Sequence, residues 1–244
     1  MMKKYFNVNF QFDKSVLENT IISNLKNSKG YCCFVDANSL AFSYKNEEFR
    51  NILNNSLLNF CDGSYIAMFA SKLHNTKLKE YTGPDFFNKF IYNKNSHLII
   101  GNTERVFEKI KQKVKLKNKN SENIHYLNIP FKDVNEFNYK RIAHSINKLS
   151  PEYIWISLGA PKQEIFMSKL ILHINSGIML GIGAATNYFS DEIKDIPLWI
   201  KKMRLIWIYR LFTEPRKQIV RLKSIFFIFP KMILEEKRKL KLIK

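Results

Sequence analysis

Three short stretches of this chain put polar side chains directly after apolar runs. Asp62 and Gly63 follow "LLNFC", Lys162, Gln163 and Glu164 follow "YIWISLGAP", and the segment from Gly183 to Asn187 follows "GIMLGI". Asn38, after "FVDA", and the pair Gly101 and Asn102, after "HLII", repeat the pattern. A lysine at the start of a helix favours an anion, and amide side chains such as Asn38 and Gln163 hydrogen-bond a ligand without adding charge. Arg210 and Arg216, far along the chain, supply forked donors of the kind that bind two oxygens of a diphosphate at once. These residue types suit a phosphate-bearing ligand. Singly, each is more commonly a capping or surface residue, and Asp-Gly is a common way to turn a chain. Their shared place at strand ends is what raises them.

The elements that must position them are legible as an alternation. Apolar, strand-like runs are expected at 31–38, 57–63, 96–102, 123–129, 153–159 and 177–183. Between them lie helical stretches: 39–56, for which Ser39 is the expected cap, then "SYIAMFASKL", then "ERVFEKIKQKV" opened by Thr103 and Glu104. Strands alternating with helices of this length imply an α/β fold, a Rossmann-like and mostly parallel sheet with helices on both faces. In such sheets ligands bind outside the carboxyl ends of the strands. That is where the polar residues fall, with Lys162 and Gln163 expected in the first turn of a helix.

Composition narrows the class. The chain has 244 residues, 45% hydrophobic and 14% aromatic, enough for one large folded domain with a small appendage. No run of about 18 apolar residues exists, so no membrane-spanning helix is expected. The N-terminus has no apolar leader, and three cysteines (Cys32, Cys33, Cys61) sit in apolar surroundings, which reads as a reduced, cytoplasmic protein. The net charge of +19 is uneven: from Lys194 onward fifteen Lys and Arg face four Asp and Glu. There Trp199, Trp207, Tyr209, Phe212 and residues 226–229 interleave with Arg204, Arg210, Arg216 and Arg221 at roughly helical spacing. Such a helix suits an anionic membrane surface, and packing on the core is the competing reading. The expected division is an α/β domain over 1–194 and a basic amphipathic, membrane-associating segment over 195–244. Nucleic acid is the other partner that so basic a chain invites, but no zinc spacing, RNA-binding signature or helix-turn-helix pattern is present, so none is expected.

In order and spacing, these motifs resemble the WecG/TagA/CpsF family of bacterial glycosyltransferases. The resemblance rests on "FVDANSLAFSYKNEEFRNILNNSLLNFCDG", "TGPDFF", "LIIGNTERVFEKI", "SLGAPKQE" and "GIGAATNYFSDEIKDIPLWIKKMRLIWIYRLFTEPRK", and it covers nearly the whole chain. It implies an inverting transfer of an N-acetylated hexosamine, such as N-acetylmannosamine, from a UDP-sugar to an undecaprenyl-pyrophosphate-linked N-acetylglucosamine, in surface polysaccharide synthesis. No metal or other cofactor is implied.

The resemblance assigns Asp62 the role of base. A base must deprotonate the attacking hydroxyl, and positive charge or hydrogen-bond donors must stabilise the departing UDP. Asn38, Gly101, Lys162, Gln163, Gly183, Asn187, Arg210 and Arg216 are the expected substrate-binding residues, with the enzyme held on the inner face of the plasma membrane. A homo-oligomer is left open. The sequence departs from the family pattern at Thr186, Asn187, Asp191, Asp195 and Ile206 and at "IPF" (129–131), where donor sugar and nucleotide are expected to be read. The competing reading is a non-catalytic scaffold of a polysaccharide assembly complex.

Overall fold

The computed structural model describes residues 2–26, 28–117, 120–194, 196–197, 199–200, 203 and 205–242. The side chains of residues 120, 121, 207, 210, 217, 220, 221 and 224 lie outside that description.

The chain opens with a two-stranded antiparallel ribbon, β1 (Lys3–Tyr5) and β2 (Val8–Phe10), followed by α1 (Lys14–Asn24). Then come β3 (Lys29–Val35), α2 (Ala37–Lys45), α3 (Glu47–Asn54), β4 (Leu58–Cys61), α4 (Ser64–His74) and α5 (Gly83–Phe90). The next elements are β5 (His97–Ile100), α6 (Glu104–Lys117), β6 (Ile124–Leu127), α7 (Tyr139–Leu149), β7 (Tyr153–Ile156) and α8 (Lys162–Leu170). The described elements end with β8 (Gly177–Gly181), α9 (Ala185–Phe189), α10 (Ile206–Thr213) and α11 (Pro215–Leu242).

Six strands form one parallel sheet in the order β4-β3-β8-β7-β5-β6. The expected α/β, Rossmann-like architecture is the observed one. Residues of β4, β5, β7 and β8, and of β3 past Lys29, are buried on both faces, and two apolar cores result. One holds Val35, Leu40, Ile100, Ile156 and Phe166, and the other holds Phe34, Phe60, Phe86, Phe87, Trp155 and Leu180. Full burial of both faces explains why these strands read as apolar runs rather than alternations.

Two local expectations are corrected. The helical stretch 39–56 is two helices, because Asn46 leaves the helical region at φ −120°, ending α2 and capping α3 through its side chain on the Phe49 N–H. The cap of α2 is Asp36 rather than Ser39: its Oδ1 accepts from the Ser39 N–H at 2.7 Å and from the Ser39 hydroxyl at 2.8 Å. An ionised side chain so placed also favours the positive end of the helix dipole.

The long α11 belongs in part to the core. Ile228, Phe229 and Met232 are buried, and Glu236 reaches into the fold. Its carboxylate accepts from the Phe6 N–H at 3.1 Å and lies 2.9 Å from Nε2 of His74, with both side chains nearly inaccessible. Residues 228–236 therefore pack on the core. Toward its start the same helix exposes Ile219, Phe226 and Phe227, and the preceding segment exposes Trp199, Met203 and Phe212. Among the described residues no helix is long and apolar enough to cross a membrane.

Candidate active site

Neighbouring strands whose following connections run in opposite directions open a crevice at their carboxyl ends. Here β5 leads outward to β6 while β7 leads inward to β8, and β3 leads outward on the other side. The polar residues singled out in the sequence gather along this edge, in two groups.

The first group is built on β3 and β4. The backbone N–H of Asp62 donates to the Val35 carbonyl at 3.0 Å, so the strand register carries through to the residue that bears the carboxylate. Asp62 Oδ1 accepts from the Gly83 N–H at 3.2 Å. The "TGPDFF" turn thus meets Asp-Gly: Thr82 caps α5, and the half-buried carboxylate sits at that helix's N-terminus. Gly63 lies against the start of α2, where an added Cβ would be 3.6 Å from the Ala37 nitrogen. Three helix starts, those of α2, α4 and α5, therefore surround Asp62. Half-buried Asn38 lies in the first turn of α2.

The second group joins β5, β7 and β8 through one hydrogen-bonded chain. Asn102 Nδ2 donates to Asn187 Oδ1 at 2.6 Å and to Thr186 Oγ1 at 3.0 Å. Thr186 and Ser157 share a hydroxyl contact of 2.8 Å, and Ser157 donates onward to the Gly183 carbonyl at 2.7 Å. Gln163 closes the chain. Its Oε1 accepts from the N–H groups of Gly183 at 3.0 Å and Gly159 at 3.2 Å, while Nε2 donates to the Gly181 carbonyl at 2.7 Å and to Glu164 at 2.9 Å. With 3% exposure, Gln163 has all these bonds inside the protein. It ties two strand-end loops together rather than standing in the crevice. The two groups touch where Gly83 packs on Ile182, an added Cβ lying 3.3 Å from its carbonyl oxygen.

Gly101 has φ +88°, and a Cβ there would sit 2.8 Å from the Ser157 carbonyl oxygen. Gly183 has φ +54°, but its nearest neighbour would be 3.8 Å away. Gly101→Ala is therefore expected to cost roughly 2–3 kcal/mol, and Gly183→Ala about 1–2 kcal/mol, read from denaturant unfolding. Equal losses would refute the close packing of the β5 and β7 ends.

Lys162 begins α8, as expected, but its ammonium donates to the Lys132 carbonyl and lies 4.7 Å from the ring centre of Phe131 and 5.3 Å from that of Phe137. Phe131 is fully exposed. At this rim a planar ring can stack on Phe131 while an anion meets Lys162. Arg216 is exposed at the start of α11. Arg210 lies on α10 with its side chain outside the described residues, as do Asp195 and Arg204 entirely.

The direction of α11 brings its start toward the same edge. Phe229 meets the Phe69 ring midway along α4, at 6.1 Å, and Glu236 meets His74 at the far end of α4. The two helices thus run the same way. From Phe69 back to Ser64 α4 has about 7 Å left, whereas from Phe229 back to Pro215 α11 has about 21 Å. Its first turns, with Arg216, extend past the end of the sheet that carries Asp62.

Sequence reasoning placed Asn102 and Glu164 at this edge without giving either a role, and it missed Ser157. Asn102 and Glu164 follow motif residues directly, but Ser157 shows no signal of its own. Clefts of about 530 Å³, lined by Lys26, Lys89 and Glu152, and about 440 Å³, lined by Lys29 and Ser56, lie at the amino edge of the sheet. They are remote from these motifs.

The model of the family described as "Glycosyl transferase WecG/TagA/CpsF family" matches residues 5–242. The chain belongs to the WecG/TagA/CpsF family of glycosyltransferases. Relatives include the N-acetylglucosaminyldiphosphoundecaprenol N-acetyl-beta-D-mannosaminyltransferases of Staphylococcus aureus strains NCTC 8325 / PS 47 and COL. Each is 35% identical over 100 residues, a match spanning 41% of this chain and 39% of the relative's length.

Proposed function

We propose that this WecG/TagA/CpsF-family chain is an inverting hexosaminyltransferase. It moves an N-acetylmannosamine-type sugar from a UDP-sugar to N-acetylglucosamine carried on undecaprenyl diphosphate. The observation that carries this reading is the Asp62 carboxylate, held by the Gly83 N–H among three helix starts at the carboxyl edge. The relatives' printed activity supports the acceptor and the sugar class.

In this reading Asp62 takes the proton of the acceptor hydroxyl as its oxygen attacks the anomeric carbon from the face opposite the leaving diphosphate. A bond to the acceptor oxygen forms, the bond to the phosphate oxygen breaks, and UDP carries away the electron pair. Free N–H groups at helix starts, Lys162, Arg210 and Arg216 stabilise that charge. Asn38, Gly101, Gly183 and Asn187 line the path of the sugar and nucleotide. Gln163 acts through the loops it joins. Phe227, Phe226, Trp199 and Phe212, with the basic residues around them, rest on anionic lipid at the cytoplasmic face, where the lipid-linked acceptor is held.

No Asp-x-Asp occurs in the sequence, and among the described residues no group of three His, Cys, Asp or Glu side chains is placed to hold a metal. Turnover is therefore expected to persist in excess EDTA. Loss that magnesium or manganese restores would contradict this. The reading as a whole is tested by transfer from UDP-N-acetylmannosamine to a short-chain polyprenyl-diphosphate N-acetylglucosamine.

A further inference from the structure

Glu164 has no role in the scheme above, yet it is among the least accessible charged residues described, at 1% exposure. Its Oε1 accepts from Gln163 Nε2 at 2.9 Å, and its Oε2 has no hydrogen-bond partner. Among the described residues no cation pairs with it. A buried carboxylate without a cation, with one oxygen unpaired, is costly, and a neutral carboxyl in the same place costs much less.

We propose that Glu164 is a positioning residue that works as a neutral carboxyl. It steadies the Gln163 amide that ties the Gly159 loop to the Gly183 loop. The tautomer follows from the hydrogen bonds. Oε1 accepts, so the proton of the neutral form sits on Oε2. Gln163 in turn can donate to Glu164 and Gly181 only while its own oxygen faces the N–H groups of Gly159 and Gly183. The four bonds set one orientation of the amide and fix the spacing of two strand-end loops.

The surroundings agree. Burial raises the Glu164 carboxyl to about 7 against the lowering effect of the Gln163 and backbone hydrogen bonds, with a smaller push upward from the Asp36 carboxylate at the end of β3. The Cys33 thiol on β3 is pushed well up by burial and by the same carboxyl. These are the titratable groups that act on Glu164 from β3. The other segments that pack on α8 are α3, α7, β8 and the turn at 134–136, whose Glu136 accepts from the Asp133 N–H; no described charged group on them shifts Glu164. The folded-state value lies above the ordinary 4.5, so the proton is favoured by folding. The stability linked to it holds at low pH and falls as pH rises through about 7.

The inference rests on the proposed transfer site only for its effect on turnover, so the deciding readout is independent of catalysis. Hydrogen exchange of the segments 157–164 and 181–187 is measured at pH 6 and pH 8.5, corrected for intrinsic rates. In the full-length protein, protection is expected to fall by up to about tenfold between the two values. Glu164→Gln, which keeps an acceptor for Gln163 and stays neutral, is expected to hold its protection at both. Glu164→Ala is expected to be poorly protected at both, and if it does not fold the first two proteins decide alone. In the transfer assay the wild-type donor KM is expected to rise at pH 8.5 while that of Glu164→Gln stays level. Parallel exchange profiles for wild type and Glu164→Gln would overturn the proposal. If the exchange result holds and no transfer is found, the fault lies with the proposed reaction and not with Glu164.

Discussion

Asp62→Asn is expected to fold normally and to lose about 10²–10⁴ in transfer rate, because an amide cannot take the acceptor's proton. The fold should tolerate the change. The Asn side-chain oxygen can still accept from the Gly83 N–H, which lies 3.2 Å from the native carboxylate, and the backbone bond to Val35 is untouched. The loss should fall on kcat rather than on donor KM, since the group acts on the acceptor hydroxyl in the transition state. A single-turnover measurement with saturating donor separates the two. A rate within about threefold of wild type would remove Asp62 from the mechanism.

Truncation before Pro197 is expected to abolish both activity and membrane binding, but the structure gives this loss two causes. Deleting α11 strips Ile228, Phe229 and Met232 from the core, each contributing about 1.5–3 kcal/mol by burial. It also leaves the Phe6 N–H and His74 without Glu236. Such a protein is destabilised whatever the tail does at a membrane. The paired substitution Phe226→Ser and Phe227→Ser isolates the surface role, because both rings are largely exposed, at 76% and 66%. It should leave the unfolding midpoint nearly unchanged and reduce sedimentation with anionic vesicles at least tenfold. High salt should weaken wild-type binding in the same assay, since the basic residues act through a screened field. Unchanged vesicle binding in the double variant would show that these aromatics do not meet lipid.

β3, β7 and β8 were legible because burial on both faces makes each an almost unbroken apolar run, and the polar residues that end those runs mark the crevice. What the sequence did not show is contact between distant segments. Asn102 and Thr186 are 84 positions apart, and only strand order makes them neighbours. Gln163 reads as a ligand-binding amide because its neighbours are polar, yet the helix turns it inward onto Gly181 and Gly183. The break at Asn46 was hidden by apolar spacing that continues through it, and the Asp36 cap by a serine equally fit for the part. The tail shows the same limit: hydrophobic periodicity marks an amphipathic helix but does not say which turns meet core and which meet solvent. Glu236, paired with His74, fixes that division.

The central claim is that the edge carrying Asp62 transfers a hexosamine from UDP. Its most direct measurement follows product formation from a panel of UDP-sugars on a short-chain polyprenyl-diphosphate N-acetylglucosamine, with UDP release and product anomeric configuration read together. The account predicts one UDP released per sugar transferred, a β-linked product from an α-linked UDP-N-acetylmannosamine-type donor, and loss of both signals in Asp62→Asn. Transfer that survives in Asp62→Asn, or a product that retains the donor's configuration, would contradict it.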